Sequence, residues 1–186
     1  MTNKPNILAI CGSTKSSSTN RNLILAIADL FEDVFRVELF EDISLLPHFN
    51  PDIDNDSPPF PVLQFRQKLR GADAVLICTP EYAMGVPGTL KNAIDWTVSS
   101  SDFSRKPTAL ITASSLGLKS HACLLETLKV IEADIIDNTQ LVISHAKTKI
   151  NDQNQIIDSE TLILVNDVIN ALLETISNSK KNFLFQ

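Results

Sequence analysis

Nine residues concentrate this chain's capacity to hold an anion. The run GSTKSSSTN, Gly12 to Asn20, carries six hydroxyls and one lysine between an apolar run, Ile7–Ile10, and an amphipathic one beginning after Asn20. A strand, a polar loop and a helix start are the local ingredients of a phosphate cradle, because the first amides of a helix have no partner within it. A phosphate monoester carries about −1.5 to −2 charges at neutral pH. A helix N-terminus offers roughly half a positive charge, so Lys15 and the hydroxyls must supply the rest. Gly12 and Lys15 stand too close for a Walker A loop, and the G-x-G-x-x-G of a dinucleotide fold is absent. A mononucleotide phosphate held by side-chain hydroxyls suits the spacing. The alternative is that the same hydroxyls only cap the helix.

A second chemically suggestive stretch is TPEYAMGVPGTLKNAIDW, Thr79 to Trp96. Pro80, Gly85, Pro87 and Gly88 stiffen it and allow close backbone approach to a flat ligand, with Pro87 just ahead of a helix that starts near Gly88. Tyr82, the one tyrosine of the chain, offers an aromatic body beside exposed amides; a structural tyrosine in a proline-capped turn is the plainer alternative. A third loop, TASSLGLKSHA, adds hydroxyls at Ser114 and Ser115. His48, His121 and His145 are scattered, and no Ser-His-Asp or paired-carboxylate pattern marks a catalytic acid, base or nucleophile.

The elements that must position these loops alternate. Strand-like runs occupy Ile7–Ile10, Arg36–Phe40, Ala74–Thr79, Thr108–Thr112 and Gln140–Ile143, with helical patterns between them. Leu23, Ile27, Leu30 and Phe31 form one apolar stripe, and Val62, Phe65 and Leu69 another. Runs such as AVLIC are apolar throughout, as strands covered on both faces are, so a doubly wound parallel sheet is expected. In such sheets the ligand lies beyond the carboxyl ends of the strands, where the loops after strands one, three and four converge. Leu162, Val165, Ile169, Leu172 and Ile176 mark a last helix, capped by Asp158 or Ser159 and expected to end before SNSKKN. LPHFNPDIDNDSPPFP, Leu46 to Pro61, reads as an ordered surface loop, and KTKINDQNQII as a short turn-rich excursion. One domain over residues 1–178 is expected, followed by a frayed tail, 179–186, whose Phe183, Leu184 and Phe185 are candidates for docking on a neighbouring subunit.

Composition narrows the partners. The chain has 186 residues, 44% hydrophobic, with sixteen basic against twenty-two acidic residues and a net charge of −6. With no basic run, nucleic acid and anionic membrane are poor partners. No apolar stretch has the length of a membrane span or a signal sequence, which points to a soluble, cytoplasmic protein. Cys11, Cys78 and Cys123 make no metal or redox spacing, and the two at strand ends read as small buried hydrophobes.

Three blocks resemble the NADPH-dependent FMN reductases, a flavodoxin-like family with chromate-, azo- and quinone-reducing members. GSTKSSSTN is similar to the family's G-S-x-R-x-x-S-x-N phosphate loop, and LPHFNPDI to its loop after the second strand. PEYAMGVPGTLKNAIDW is similar to its P-E-Y-N-x-x-x-P-G-x-L-K-N-A-I-D-W signature. The resemblance implies a five-stranded parallel sheet in the order 2-1-3-4-5 with helices on both faces, FMN as cofactor and NAD(P)H as co-substrate. It implies that Ser13, Lys15, Ser18 and Asn20 hold the FMN phosphate, with an amide from Thr19. Pro80, Glu81, Tyr82 and Ala83 would line the isoalloxazine and Ser114 its far edge, while Lys91, Asn92 and Asp95 would be structural. For Glu81 itself, structural support is preferred over proton donation. The family also implies a homodimer or homotetramer and a small acceptor: a quinone, an azo compound, a metal oxyanion or free flavin. Lys15 replaces the usual Arg, exchanging a bidentate fork for a point charge. Ala83 replaces the usual Asn, and SSLGLKS lacks the paired glycines of the family's fourth loop. Two rival functions share the fold: an FMN-binding electron carrier, and a binding module that has lost FMN.

Overall fold

The computed structural model describes residues 4–184. Five parallel strands, β1 (Asn6–Cys11), β2 (Arg36–Phe40), β3 (Ala74–Thr79), β4 (Thr108–Ala113) and β5 (Gln140–Ile143), form one sheet in the order β2-β1-β3-β4-β5. The helices are α1 (Thr19–Leu30), α2 (Phe60–Gly71), α3 (Gly88–Asp95), α4 (Leu118–Val130) and α5 (Ser159–Leu184). Residue alternation along each strand divides the core. Ile7, Ala9 and Cys11 point with Leu76, Cys78 and Ile111 toward α1 and α5. Leu8 and Ile10 point with Val75, Ile77 and Leu110 toward α2, α3 and α4. Both faces are therefore covered, as the unbroken apolar strands require. Order reverses at β1, whose neighbours are β2 on one side and β3 on the other, with Ile10 in register with Phe40 and Ile77.

Local chemistry explains the element ends. Asp158 caps α5, accepting from the Thr161 amide at 2.9 Å and the Thr161 hydroxyl at 2.6 Å. This helix does not stop before SNSKKN; it runs to Leu184. The stretch contains neither Gly nor Pro, and Lys180 is held by Asp73 at 2.7 Å, so polarity alone does not end the helix. The side chains of residues 183–185 lie outside the described residues. Leu30, expected on the apolar stripe of α1, is 50% exposed, whereas Leu23 and Ile27 are fully buried. The loop from Leu46, which gives way to α2 at Phe60 rather than running to Pro61, is anchored by α3. Asn92 accepts from the Phe49 amide at 2.7 Å and donates to Pro47 O at 3.0 Å, and the buried Trp96 donates from Nε1 to the same carbonyl at 2.8 Å. Asn92 is thus structural, and so is Lys91, which pairs with Asp95 across one helical turn.

Candidate cofactor site

The phosphate-loop residues stand where β1 meets α1. Gly12 still belongs to the sheet: its amide donates to Cys78 O at 2.8 Å, and a Cβ there would lie 2.3 Å from Thr79 Oγ1. Gly12 therefore lets the strand pass close to Thr79 and offers no amide to a ligand. Beneath the loop, the Cys11 thiol donates to Ser13 O at 3.4 Å and lies 3.8 Å from Ser18 Oγ. Burial pushes the thiols of Cys11 and Cys78 up, so both stay neutral. Ser18 is the N-cap of α1, its Oγ accepting from the Arg21 amide at 3.4 Å. Hydroxyl capping and a phosphate cradle are compatible here, because the amides of Thr19 and Asn20 take no partner from the described residues. No acidic residue stands in the first turn to oppose an anion.

A cavity of about 490 Å³ opens beside this helix start, within the range of small-molecule sites. Ser13, Lys15, Ser18, Thr19, Asn20, Pro80, Glu81, Tyr82 and Ser114 all border it. The loops after β1, β3 and β4 therefore converge, and the contact between the first two is direct: Ser13 Oγ and Tyr82 OH share a hydrogen bond at 3.3 Å. Ala83 lies off the cavity wall, at an exposed turn. Tyr82 and Gly85 exchange amide–carbonyl bonds of 3.1 and 2.9 Å around Ala83 and Met84, whose φ angles are 49° and 59°. Thr14 and Ser16 face a smaller cavity of about 210 Å³ beside the exposed Arg21–Glu41 ion pair.

Glu81 shows why its acid is not a free group. Its Oε2 accepts from the amides of Lys119 and Ser120, both at 2.9 Å, capping α4. Its own amide donates to Ser114 Oγ at 3.1 Å, tying the loop after β3 to the loop after β4. Gly117, at φ 94°, turns the chain into α4 in place of the paired glycines.

The loop after β5 forms a wall that the sequence reading left out. His145, Ala146, Lys147 and Thr148 border the cavity. The amides of His145 and Ala146 donate to Ser115 O and Ser114 O at 3.1 and 3.0 Å. The available signal was positional: this loop also leaves the carboxyl end of a strand, and three of its four residues are polar.

A family model described as NADPH-dependent FMN reductase matches residues 5–148. The chain belongs to this family. It is 33% identical over 171 residues to an NAD(P)H-dependent FMN reductase of Pseudomonas aeruginosa, covering 89% of this chain and 92% of the relative. It is also 33% identical to a 2-hydroxy-1,4-benzoquinone reductase of Burkholderia sp., covering 83% and 87% of the two chains. The structure of FerB, a flavoenzyme NAD(P)H:(acceptor) oxidoreductase from Paracoccus denitrificans, superposes with a TM-score of 0.82 at 26% identity, covering 94% of this chain and 98% of that one.

FMN fits what the site offers. Lys15, the Ser18 hydroxyl and the free α1 amides could receive an anion, and Pro80 and Tyr82 could flank a flat ring, because all line the same cavity. The Asn20 side-chain oxygen is buried without a hydrogen-bond partner among the described residues. No group of His, Cys, Asp and Glu among the described residues is arranged to hold a metal ion, and no described helix is long and apolar enough to cross a membrane.

Proposed function

We infer that this chain is an FMN-dependent NAD(P)H oxidoreductase that passes reducing equivalents to a small acceptor. The carrying observation is the 3.3 Å bond between Ser13 and Tyr82, which joins the anion-binding loop and the ring-binding loop at one cavity. When bound, FMN supplies the redox chemistry, accepting a hydride from the nicotinamide and delivering electrons to the acceptor. The protein's part is placement. Ser18, Lys15 and the Thr19 amide would hold the phosphate, with Ser13 supporting the loop, and Pro80, Tyr82 and the Ser114 hydroxyl would frame the ring. Glu81 acts on the ring only through the loops that it ties together. No side-chain nucleophile is needed.

Among acceptors, a quinone is favoured by the quinone-reducing relatives. We read the chain as one FMN-binding domain through residue 178, with the last turns of α5 continuing into the tail. We also read it as cytoplasmic and as a homodimer or homotetramer. Met84 and Leu116, 75% and 61% exposed on the loops after β3 and β4, and Leu118, 66% exposed at the start of α4, support self-association there.

The test is a visible spectrum. Protein reconstituted with FMN should show flavin absorbance that bleaches on anaerobic addition of NADPH or NADH. Binding without bleaching would leave an electron carrier, and refusal of FMN a module without cofactor.

A further inference from the structure

Reduction of a quinone to a quinol adds two electrons and two protons. Hydride transfer brings both electrons and one proton, so the second proton must come from an acid beside the acceptor or from water. Imidazole is the side chain suited to giving and regaining a proton near neutral pH. One stands on the cavity wall: His145, exposed in the loop after β5, borders the cavity together with Tyr82 and Ser114. His48 and His121 do not border it, and both ring nitrogens of His121 are already engaged, by Thr112 at 3.0 Å and Gln140 at 3.3 Å.

The His145 backbone is pinned. Its amide donates to Ser115 O at 3.1 Å, and its carbonyl accepts from the Thr148 amide at 3.0 Å and the Thr148 hydroxyl at 2.9 Å. The next amide, of Ala146, donates to Ser114 O at 3.0 Å. These bonds hold His145 at φ 55°, a conformation uncommon outside glycine, and such over-determined positions gather at functional sites. The other titratable side chains on the wall are Lys15, Glu81, Tyr82 and Lys147. Glu81 Oε2 is committed to the start of α4, and the Tyr82 hydroxyl shares its bond with Ser13. The two lysines, as ammonium groups, supply charge rather than a proton.

Resting on the FMN reading and its quinone acceptor, we propose that His145 is the acid that protonates the acceptor. As hydride reaches the quinone, the imidazolium N–H gives its proton to the oxygen left negative. One N–H bond breaks, one O–H bond forms, and the quinol is complete. The neutral ring, being exposed, takes a proton back from water. The acceptors favoured by this wall are those that need a proton along with their electrons.

His145→Asn removes the acid and keeps the turn, because Asn adopts positive φ as readily as His. Holoprotein reduced anaerobically with NADPH is mixed with 1,4-benzoquinone and, separately, with ferricyanide, which takes electrons and no proton. The variant should be re-oxidised about a hundredfold more slowly by benzoquinone and at an unchanged rate by ferricyanide. In the unaltered protein the benzoquinone rate should fall as pH rises through the range in which imidazole titrates, a limb that the variant should lack. A second readout needs no turnover: 4-nitrophenolate, a stand-in for the quinol anion, should bind the oxidised variant about tenfold more weakly than the unaltered protein. Equal slowing with both acceptors would make His145 a support of the ring site. Unchanged benzoquinone oxidation would leave the proton to water, and undiminished nitrophenolate affinity would take His145 away from the acceptor; each of these outcomes overturns the proposal. Failure of the unaltered chain to bind FMN, or to bleach with NADPH, would reject instead the reading on which the inference rests.

Discussion

Ser18 could serve two ends from one atom. Its Oγ accepts from the Arg21 amide and so caps α1, while its proton remains available to an anion at the helix start. Ser18→Ala should therefore lower stability by about 1 kcal/mol through the lost cap. It should also weaken FMN about tenfold to a hundredfold through a lost charge-assisted bond. Riboflavin affinity should change little, and parallel losses for the two ligands would count against phosphate binding at Ser18. Lys147 presents a related question of charge. It borders the same cavity as Lys15, and a dianion exceeds what one lysine and half a helix charge can balance. Lys147→Gln is expected to weaken FMN about three- to tenfold at low salt and less at high salt, again sparing riboflavin. If FMN titrations at two ionic strengths show no change, Lys147 is a solvated surface residue. The hydroxyls of the first loop were legible because they are consecutive and precede a helix. Lys147 was not, because only the β4–β5 pairing and the two amide bonds to Ser114 and Ser115 carry its loop to the cavity.

Among the connecting elements, the turn after β3 stores strain. Ala83 and Met84 both hold positive φ, at 49° and 59°, the backbone of a tight hairpin turn that Asn and Gly adopt most readily. An Asn at position 83, the family's usual residue, would suit this backbone better than Ala. Ala83→Asn should raise stability by about 1 kcal/mol, a shift in Tm of about 2–4 °C for a chain of this size. FMN affinity should hold, and a thermal melt that does not move would show that the turn is relaxed as it stands. Alternating strand and helix patterns made the five parallel strands readable, since fully apolar runs need cover on both faces, whereas the order 2-1-3-4-5 followed from the family resemblance. The clamp made by Glu81 was hidden for a physical reason: a carboxylate capping a distant helix has no local signature. The length of α5 was not legible because SNSKKN is polar yet holds neither Gly nor Pro, and polarity alone does not end a helix.

For the whole molecule, titration sets the range over which the fold is secure. Arg66, 5% exposed, bonds Asp54 at 2.7 Å and Trp96 O at 2.8 Å, while Asp102 accepts from Arg70 at 2.6 Å, so the α2 face is laced by buried ions. Burial pushes the Asp54 carboxyl up, but the Ser99 hydroxyl and the Arg66 guanidinium outweigh it and leave it below its ordinary value. At Asp73 burial is outweighed likewise by Lys180 and the Asn6 amide. A depressed carboxylate contributes stability above its unfolded pKa of about 3.9 and loses it as pH falls through the lower folded value. His121 works in the same direction by another route. Burial holds its imidazole below its ordinary value, against a smaller upward effect of Gln140, so the unfolded chain binds a proton first. Stability should be full above about pH 6.5 and decline as pH drops below it, before the carboxylates add a steeper loss under about pH 4. Urea midpoints across this range check the prediction, and His121→Gln should abolish the upper, shallower step. One further consequence comes from the amide bonds that run from the loop after β5 to Ser114 and Ser115, and from Ser114 through Glu81 to the start of α4. The cavity's rim is a single braid rather than a set of interchangeable inserts. Transplanting one loop from a relative to change acceptor preference should therefore yield a misassembled rim, whereas exchanging the segments after β3, β4 and β5 together should carry the preference across.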